Sequence, residues 1–428
     1  MDTGPVRLGE GGAGRIAHEA SDVEISVRRL ARWIEVNGWE GYDPYDVRGT
    51  PLFRALHRLS QRRTLASRIP RRVFVEVADA FPYATRAALR IRPEINPKGM
   101  GLLAHGYLTL AARTGEVEFR RRGLECLDWL LEHPSRDFPG LSWGHPFDWE
   151  SAVLVPAGMP AGIVSCVAGD ALYEAWKQTG DSRYLDACGE VCTFLLEGLR
   201  VDTIDRDTIC FSFTPIDDFH VHNVNLVAAE FLVRVGSALG KPELVEAGVR
   251  ASKYALGELE EDGRLPYWGR VQSNIAPGHV DHTHTGFQLR AFAGLFETTQ
   301  DERYLEALTR HFGFYRRTLW RADKGTLVPR TTPRRDYPVD VHAVAEAVLC
   351  AARVRRLTPA AGDLLPPALA LAFRMQTPEG WFVAALKRRL GREVEVKIPY
   401  IRWGQGWMLL ALSSALGEQD QLRAGKGA

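Results

Sequence analysis

Turn-like segments recur along this chain about every 60 residues, and a repeat of that length restricts the fold more than any other feature. TGEVEF begins at Thr114, TGDSRYLDA at Thr179, GKPELVEA at Gly240, TQDERYLEA at Thr299 and, more weakly, TPAAGDLLPPA at Thr358. Each follows one helix-like apolar pattern and precedes another, as GDALYEAWKQ and CGEVCTFLLEGL flank the second, so each reads as the turn of an αα-hairpin. Asp181 and Asp301 stand where an acidic side chain caps the helix that follows.

A second series alternates with the first and is longer, Pro-rich and chemically loaded. It comprises RPEINPKGMG, WGHPFDWESAVLVPAGMP, FTPIDDFHVHNVN, APGHVDHTHTG, RRDYPVDVHA and KIPYIRWGQGW, with the next helices starting near Asn96, Pro156, Asn223, His284, His342 and Trp403. Six starts predict six hairpins. A hairpin cannot bury its apolar face alone, so repeated hairpins stack into an open solenoid or close into a ring. By fold analogy, six pairs of this length close as an (α/α)6 toroid. The expected fold class is therefore all-α, with one toroid over residues 23–418 and flexible tails at 1–22 and 419–428. The small-residue helices, such as AGIVSCVAGDAL and AVAEAVLCAARV, suit the inner ring, with all their N-termini at one mouth. Helix N-termini present unpaired amides and partial positive charge, so the loaded loops would converge where a ligand is easily held.

Composition narrows the function classes. With 428 residues, 45% of them hydrophobic, the chain can fill one large core. The 54 basic and 53 acidic residues leave a net charge of +1, so no global field draws nucleic acid or an anionic membrane, although a local basic patch remains open. No apolar run has the length of a signal peptide or of a membrane span, which predicts a cytoplasmic protein. The six cysteines lack a CxxC pair; Cys188 and Cys192, four apart, share a helix face, and buried reduced thiols are expected. There is no GxGxxG after a strand, no Walker loop and no GxSxG elbow, so nucleotide-dependent chemistry and serine hydrolysis are not expected; no cofactor is expected either.

The candidate chemistry sits in the second series. WGHPFDWES offers Trp143, Asp148, Trp149 and Glu150: indoles suit the C–H faces of sugar rings and carboxylates accept from hydroxyls. The same residues could instead plug the toroid wall and cap a helix. APGHVDHTHTG packs His279, Asp281, His282 and His284 together; it lacks HExxH and a cysteine, so acid/base or substrate contacts are expected rather than a metal. FTPIDDFHVHNVN brings Asp217, Asp218, His220, His222, Asn223 and Asn225, but no third acid for a DDxxD metal motif. YPVDVHA brings Tyr337, Asp340 and His342, with Asp340 an equal candidate for a helix cap. IPYIRWGQGW brings Tyr400, Arg402 and Trp403; the arginine could hold a uronate carboxylate or a phosphate, or lock the last helix by an internal ion pair. WEGYDPYD, with Trp39, Tyr42, Asp43, Tyr45 and Asp46, either folds over the mouth or braces the N-terminus, and Trp268 in EEDGRLPYW adds another aromatic.

Six ordered motifs, from Trp39–Asp46 through Trp143–Trp149, Phe213–Asn225, His284–Phe287 and Tyr337–Ala345 to Pro399–Met408, resemble those of a bacterial family found with capsule and exopolysaccharide biosynthesis genes. Some of its members carry the label δ-aminolevulinic acid dehydratase, whose βα-barrel and paired active-site lysines have no counterpart in this sequence. The resemblance implies an (α/α)6 toroid distantly similar to six-hairpin glycosidases, polysaccharide lyases and glucuronyl C5-epimerase toroid domains. The implied function is a carbohydrate-active enzyme working on a uronate-containing polysaccharide or its precursor, by hydrolysis, β-elimination or epimerisation. Hydrolysis would use two carboxylates, Asp148 with Asp281 or Asp340. Elimination or epimerisation would use His284 or Tyr400 as base, with Arg402 against the developing charge. Rival readings are a non-catalytic glycan-binding or assembly protein, and an isoprenoid toroid enzyme, since MQTPEGW and EEDGRLPYW resemble the Gln-Trp repeats of squalene-type cyclases although the DxDD acid is absent.

Overall fold

The computed structural model describes residues 11–61, 64–150, 152–272, 278–323 and 325–424. Residues 1–10 and 425–428 of the expected tails, together with Ser151, Ala276 and Pro277 of the loaded loops, lie outside the described residues. Among the described residues fifteen α-helices follow one another: α1 (Gly11–Asn37), α2 (Pro51–Ser60), α3 (Leu65–Ala80), α4 (Pro82–Ala88), α5 (Pro97–Thr114), α6 (Val117–Glu132), α7 (Gly162–Thr179), α8 (Ser182–Thr193), α9 (His222–Leu239), α10 (Pro242–Glu258), α11 (His282–Thr299), α12 (Glu302–Thr318), α13 (Val341–Val354), α14 (Leu365–Met375) and α15 (Gly406–Ala424).

The odd-numbered helices from α5 to α15 form the inner wall: each packs on the next, and α15 returns to α5, so the ring is closed. Each takes an outer partner, α5 with α6, α7 with α8, α9 with α10, α11 with α12 and α13 with α14. The sixth hairpin joins the two ends of the chain, because α1 supplies the outer helix for α15. Ser26 on α1 donates to Gln376 just past α14 at 2.8 Å, and the Gln376 amide donates back to the Ser26 carbonyl at 2.9 Å.

Small residues let the inner helices approach. A Cβ on Gly101 of α5 would meet the Ala168 backbone of α7 at 3.0 Å, and one on Gly169 would meet the Phe231 ring of α9 at 2.4 Å. The core is continuous around the ring, and all six cysteines are buried and unpaired, as expected. The short turns lie together on one face. Gly115 and Gly180 end their helices at φ of 75° and 70°, the left-handed conformation that closes an αL cap. Asp181 and Asp301 cap α8 and α12 through the backbone N–H groups of Arg183 and Arg303.

The long connections all lie on the opposite face, at the N-termini of the inner helices. They contain the short antiparallel pairs Trp149–Glu150 with Leu154–Val155, Val201–Asp205 with Thr208–Phe211, and Trp320–Asp323 with Thr326–Pro329. Ala385–Arg389 pairs with both Arg392–Val396 and Val339–Asp340. Outside the ring, α2, α3 and α4 form a small helical annex between α1 and α5. No helix among the described residues is long and apolar enough to cross a membrane.

Candidate active site

The loaded loops meet at the mouth around a cavity of about 140 Å3. One side is closed by the strap of residues 39–50. A Cβ on Gly49 would collide with the Asp148 carbonyl, so the strap runs tight against the loop after α6. Two buried ion pairs pin it, Asp43 to the Arg402 guanidinium through two contacts and Asp46 to Arg86 at 2.8 Å. Between them Tyr45 lies stacked on Trp149, ring centroids 5.9 Å apart, and 5.2 Å from Trp403. Of the two readings of Arg402, the internal ion pair is therefore present. The guanidinium still borders the cavity, 4.8 Å from the Trp403 ring.

Seven expected residues line the cavity: Trp149, Asn223, Trp268, His284, His342, Arg402 and Trp403. They come from five different loops, so the convergence is a product of the ring rather than of local sequence. Asp281, which caps α11, stands directly behind His284 and accepts from its Nδ1 at 2.6 Å and from its backbone N–H at 2.9 Å. Burial favours the neutral acid at Asp281, but the neighbouring His284 and hydrogen bonds from His279 and His284 outweigh it and hold the carboxyl well below the usual range. A carboxylate at Nδ1 orients the ring and leaves Nε2 as the nitrogen able to take a proton from a ligand.

His342 is buried at the start of α13, stacked on Trp407 at 4.6 Å and edge-on to Trp403 at 4.7 Å, and neither ring nitrogen has a hydrogen-bond partner. Burial, then Lys98 and Arg402, keep it neutral. The Oδ1 of Asn223, in the first turn of α9, is also buried and unpartnered. His342 and Asn223 therefore bring unused hydrogen-bonding capacity to the cavity lining.

Lys98, His145 and Tyr267 also line the cavity and were not singled out from sequence. Lys98 sits in the first turn of α5, with Nζ 5.5 Å from the Trp407 ring centroid and 5.8 Å from that of Phe287, and makes no ion pair among the described residues. Burial, with the Arg402 guanidinium adding to it, lowers its ammonium to about 7. His145 contacts the Asn96 side chain at 3.2 Å and is held neutral by burial, Arg402 and Lys98. Tyr267 lies 4.5 Å from His284 ring to ring, and burial raises its phenol.

The other expected residues stand outside the cavity. Asp148 is exposed and accepts from the Ala157 N–H at 2.8 Å, and Glu150 faces Arg54 at 3.5 Å. Asp340 caps α13 and accepts from the Trp403 indole at 2.8 Å; burial raises it to about 6, against the pull of those bonds. Tyr400 accepts from Arg86 at 3.1 Å inside the wall. Trp143 is fully buried, donating to the Leu130 carbonyl at 2.9 Å, and Trp39 packs on the core. Tyr42 sits against Tyr83, and Tyr337 donates to Glu393 at 3.0 Å. His222 binds Glu258 at 3.0 Å, Asn225 braces Phe211 and Ala251, and His282 bonds the Tyr315 hydroxyl at 2.7 Å.

Among the described residues one carboxylate, Asp217, lines the cavity, and it is spent on its own loop, accepting from the N–H groups of Phe213, Thr214 and Phe219 and from the Thr214 hydroxyl. No group of three or more His, Cys, Asp or Glu side chains among the described residues is placed to hold a metal ion.

Among solved structures, the chain is similar to a GH76 α-mannanase from Bacteroides thetaiotaomicron, at 12% identity over 76% of this chain and 88% of that one, with a TM-score of 0.57. It is similar to cellobiose 2-epimerase from Bacillus thermoamylovorans at 10% identity, over 74% and 87% of the chains, TM-score 0.57. An unsaturated glucuronyl hydrolase specific for heparin matches over 95% of this chain and 98% of its own at 10% identity, TM-score 0.56. At such identities the likeness is one of fold, and that fold is the (α/α)6 toroid. No family model matches the chain, and no curated protein matches it.

Proposed function

We propose that the mouth binds a saccharide and that the protein is a carbohydrate-active enzyme of polysaccharide biosynthesis or modification, moving a proton at a carbon beside a uronate carboxylate. Epimerisation, with β-elimination as the related outcome, fits the side chains better than hydrolysis. The observation that carries this reading is the Asp281–His284 pair, whose imidazole is oriented by a carboxylate into an aromatic-lined cavity.

The ligand chemistry follows from what the cavity leaves unpaired. His342 offers one donor and one acceptor nitrogen and Asn223 an acceptor oxygen. A hydroxyl both donates and accepts, so a polyhydroxylated ring satisfies all three, while Tyr45, Trp149 and Trp403 receive its C–H faces. Lys98, Arg402 and Arg48 give the rim a positive character suited to a carboxylate.

The reaction class follows from position. In a ring of six inner helices α5 and α11 stand three places apart, so Lys98 and His284 enter the cavity from different walls, with Lys98 Nζ reaching to 5.8 Å from the Phe287 ring on α11. Inversion at carbon requires one group to remove a proton from one face and a second to return a proton to the other. An imidazole oriented by Asp281 and an amine lowered to about 7 match those two roles near neutral pH. Hydrolysis by paired carboxylates is poorly served, because Asp148 and Asp340 stand outside the cavity and Asp217 is occupied by its loop.

The test follows purified protein on uronate-containing and neutral bacterial polysaccharides, recording epimer ratio by NMR, unsaturated product by absorbance and new reducing ends together. A changed epimer ratio or unsaturated product on uronate polymers alone, lost in His284→Ala, is expected. New reducing ends without either signal would replace this reading with hydrolysis.

A further inference from the structure

We propose that the protein docks on an anionic lipid surface through a patch that α3 and the hairpin 385–396 build beside the mouth, and this stands whether or not the mouth acts on a uronate. On α3 and just beyond it, Ile69, Val73, Val77 and Phe81 follow one another at steps of four and are all exposed, Phe81 at 62%. Apolar residues at that spacing form a helix face of the kind normally covered. Among the described residues nothing covers it, and the shallow groove between this stripe and Arg389 is almost wholly apolar.

The hairpin supplies an independent sign. Its two-residue turn puts Leu390 at φ 49° and Gly391 at φ 78°, the left-handed pair that favours asparagine and glycine, yet the first position holds a fully exposed leucine. Backbone strain at a bare apolar tip gives the isolated chain nothing in return, and points to insertion into something outside it.

Charge selects the partner. Arg68, Arg72 and Arg392 are exposed around the patch and make no ion pair among the described residues. The neighbouring acids are taken: Glu76 by Lys387 and Arg389 at 3.2 Å, Asp79 by Lys387 at 2.6 Å and Glu393 by Arg374. A chain of net charge +1 therefore carries a local excess of free guanidinium groups around leucine, valine and phenylalanine. Apolar side chains entering the acyl boundary with arginines at the phosphates is how a peripheral surface binds anionic lipid. Two copies meeting through this patch would set the same arginines against each other, which disfavours a homodimer. The hairpin grows from Val339–Asp340 at the cap of α13, so the patch lies on the side where the mouth opens.

The experiment sediments the full chain with vesicles of phosphatidylcholine alone and of phosphatidylcholine mixed with phosphatidylglycerol. Leu390→Asn suits the turn, and Arg72→Glu with Arg392→Glu changes exposed positions, so thermal melting should match that of the parent. Binding is expected on the anionic vesicles only, weakened roughly tenfold or more by either variant and by raised salt. Equal binding to both vesicles, no binding to either, or binding indifferent to both variants overturns the proposal. So does a dimer in sedimentation velocity that Leu390→Asn dissociates while vesicles capture nothing, which would make the patch an interface between copies.

Discussion

With its ammonium lowered to about 7, Lys98 changes charge within the ordinary assay range. The direction of reaction in which it returns the proton should decline as pH rises through about 7. Lys98→Met should abolish inversion at every pH, whereas if the lysine only fills space the variant would keep inversion and the same pH profile. Asp281→Asn tests orientation separately: kcat is expected to fall roughly 10²- to 10⁴-fold with KM little changed, as for a carboxylate that holds an imidazole in its working tautomer. A fall confined to KM would assign Asp281 to binding. Sequence reading reached these residues unevenly. His284, His342 and Asn223 were legible because histidines and amides crowd the helix starts, where a repeat predicts convergence. Lys98 and His145 sit in loops marked as loaded, but which side of a loop faces the axis is set by the ring. The hold of Asp43 on Arg402 joins residues 359 apart and has no local signature.

At the scale of elements, the alternation of short and long connections was readable because it follows from hairpins stacking in one direction, and the N-termini of α5, α9, α11 and α13 fall close to their expected starts. The roles of Asn225, His222 and His282 were not, because a polar residue at a helix start looks the same whether it braces the wall or faces the mouth. His282 carries a consequence for stability. Burial is the largest influence on it and lowers its pKa to about 4, so between about 4 and the unfolded value of about 6.5 the folded state binds fewer protons than the unfolded one. Stability should fall as pH drops through that window, by about 3 kcal/mol from this ring at about 1.36 kcal/mol per pH unit. His311, also lowered to about 4, acts in the same direction. Melting followed from pH 7 to 4 should show the loss, and His282→Gln should flatten it; an unchanged slope would mean the ring titrates as if exposed. Helix contact gives a second check. Gly101→Val drives a branched side chain into the α7 backbone and should destabilise by about 1–3 kcal/mol in denaturant unfolding, with no change if the helices can part freely.

For the whole molecule, the ring is closed by pairing its two ends, α1 against α15. The turn series contains five hairpin turns for six hairpins, and the missing one is supplied by the N-terminal helix. Deleting residues 1–37 should uncover the apolar outer side of α15 and break the Ser26–Gln376 link, giving aggregated or strongly destabilised protein. A truncated chain with the parent's melting temperature would show that the sixth hairpin is dispensable. Closure also sets α5 across the ring from α11, and the proposed chemistry uses one group from each, Lys98 and His284. Its most direct measurement is deuterium uptake from heavy water at the carbon beside the carboxylate of a uronate oligosaccharide, followed by NMR for the parent, His284→Ala and Lys98→Met. The account predicts uptake by the parent into both epimers, none with His284→Ala, and with Lys98→Met exchange restricted to one epimer without inversion. No uptake by the parent on any uronate, or uptake indifferent to both substitutions, would contradict it.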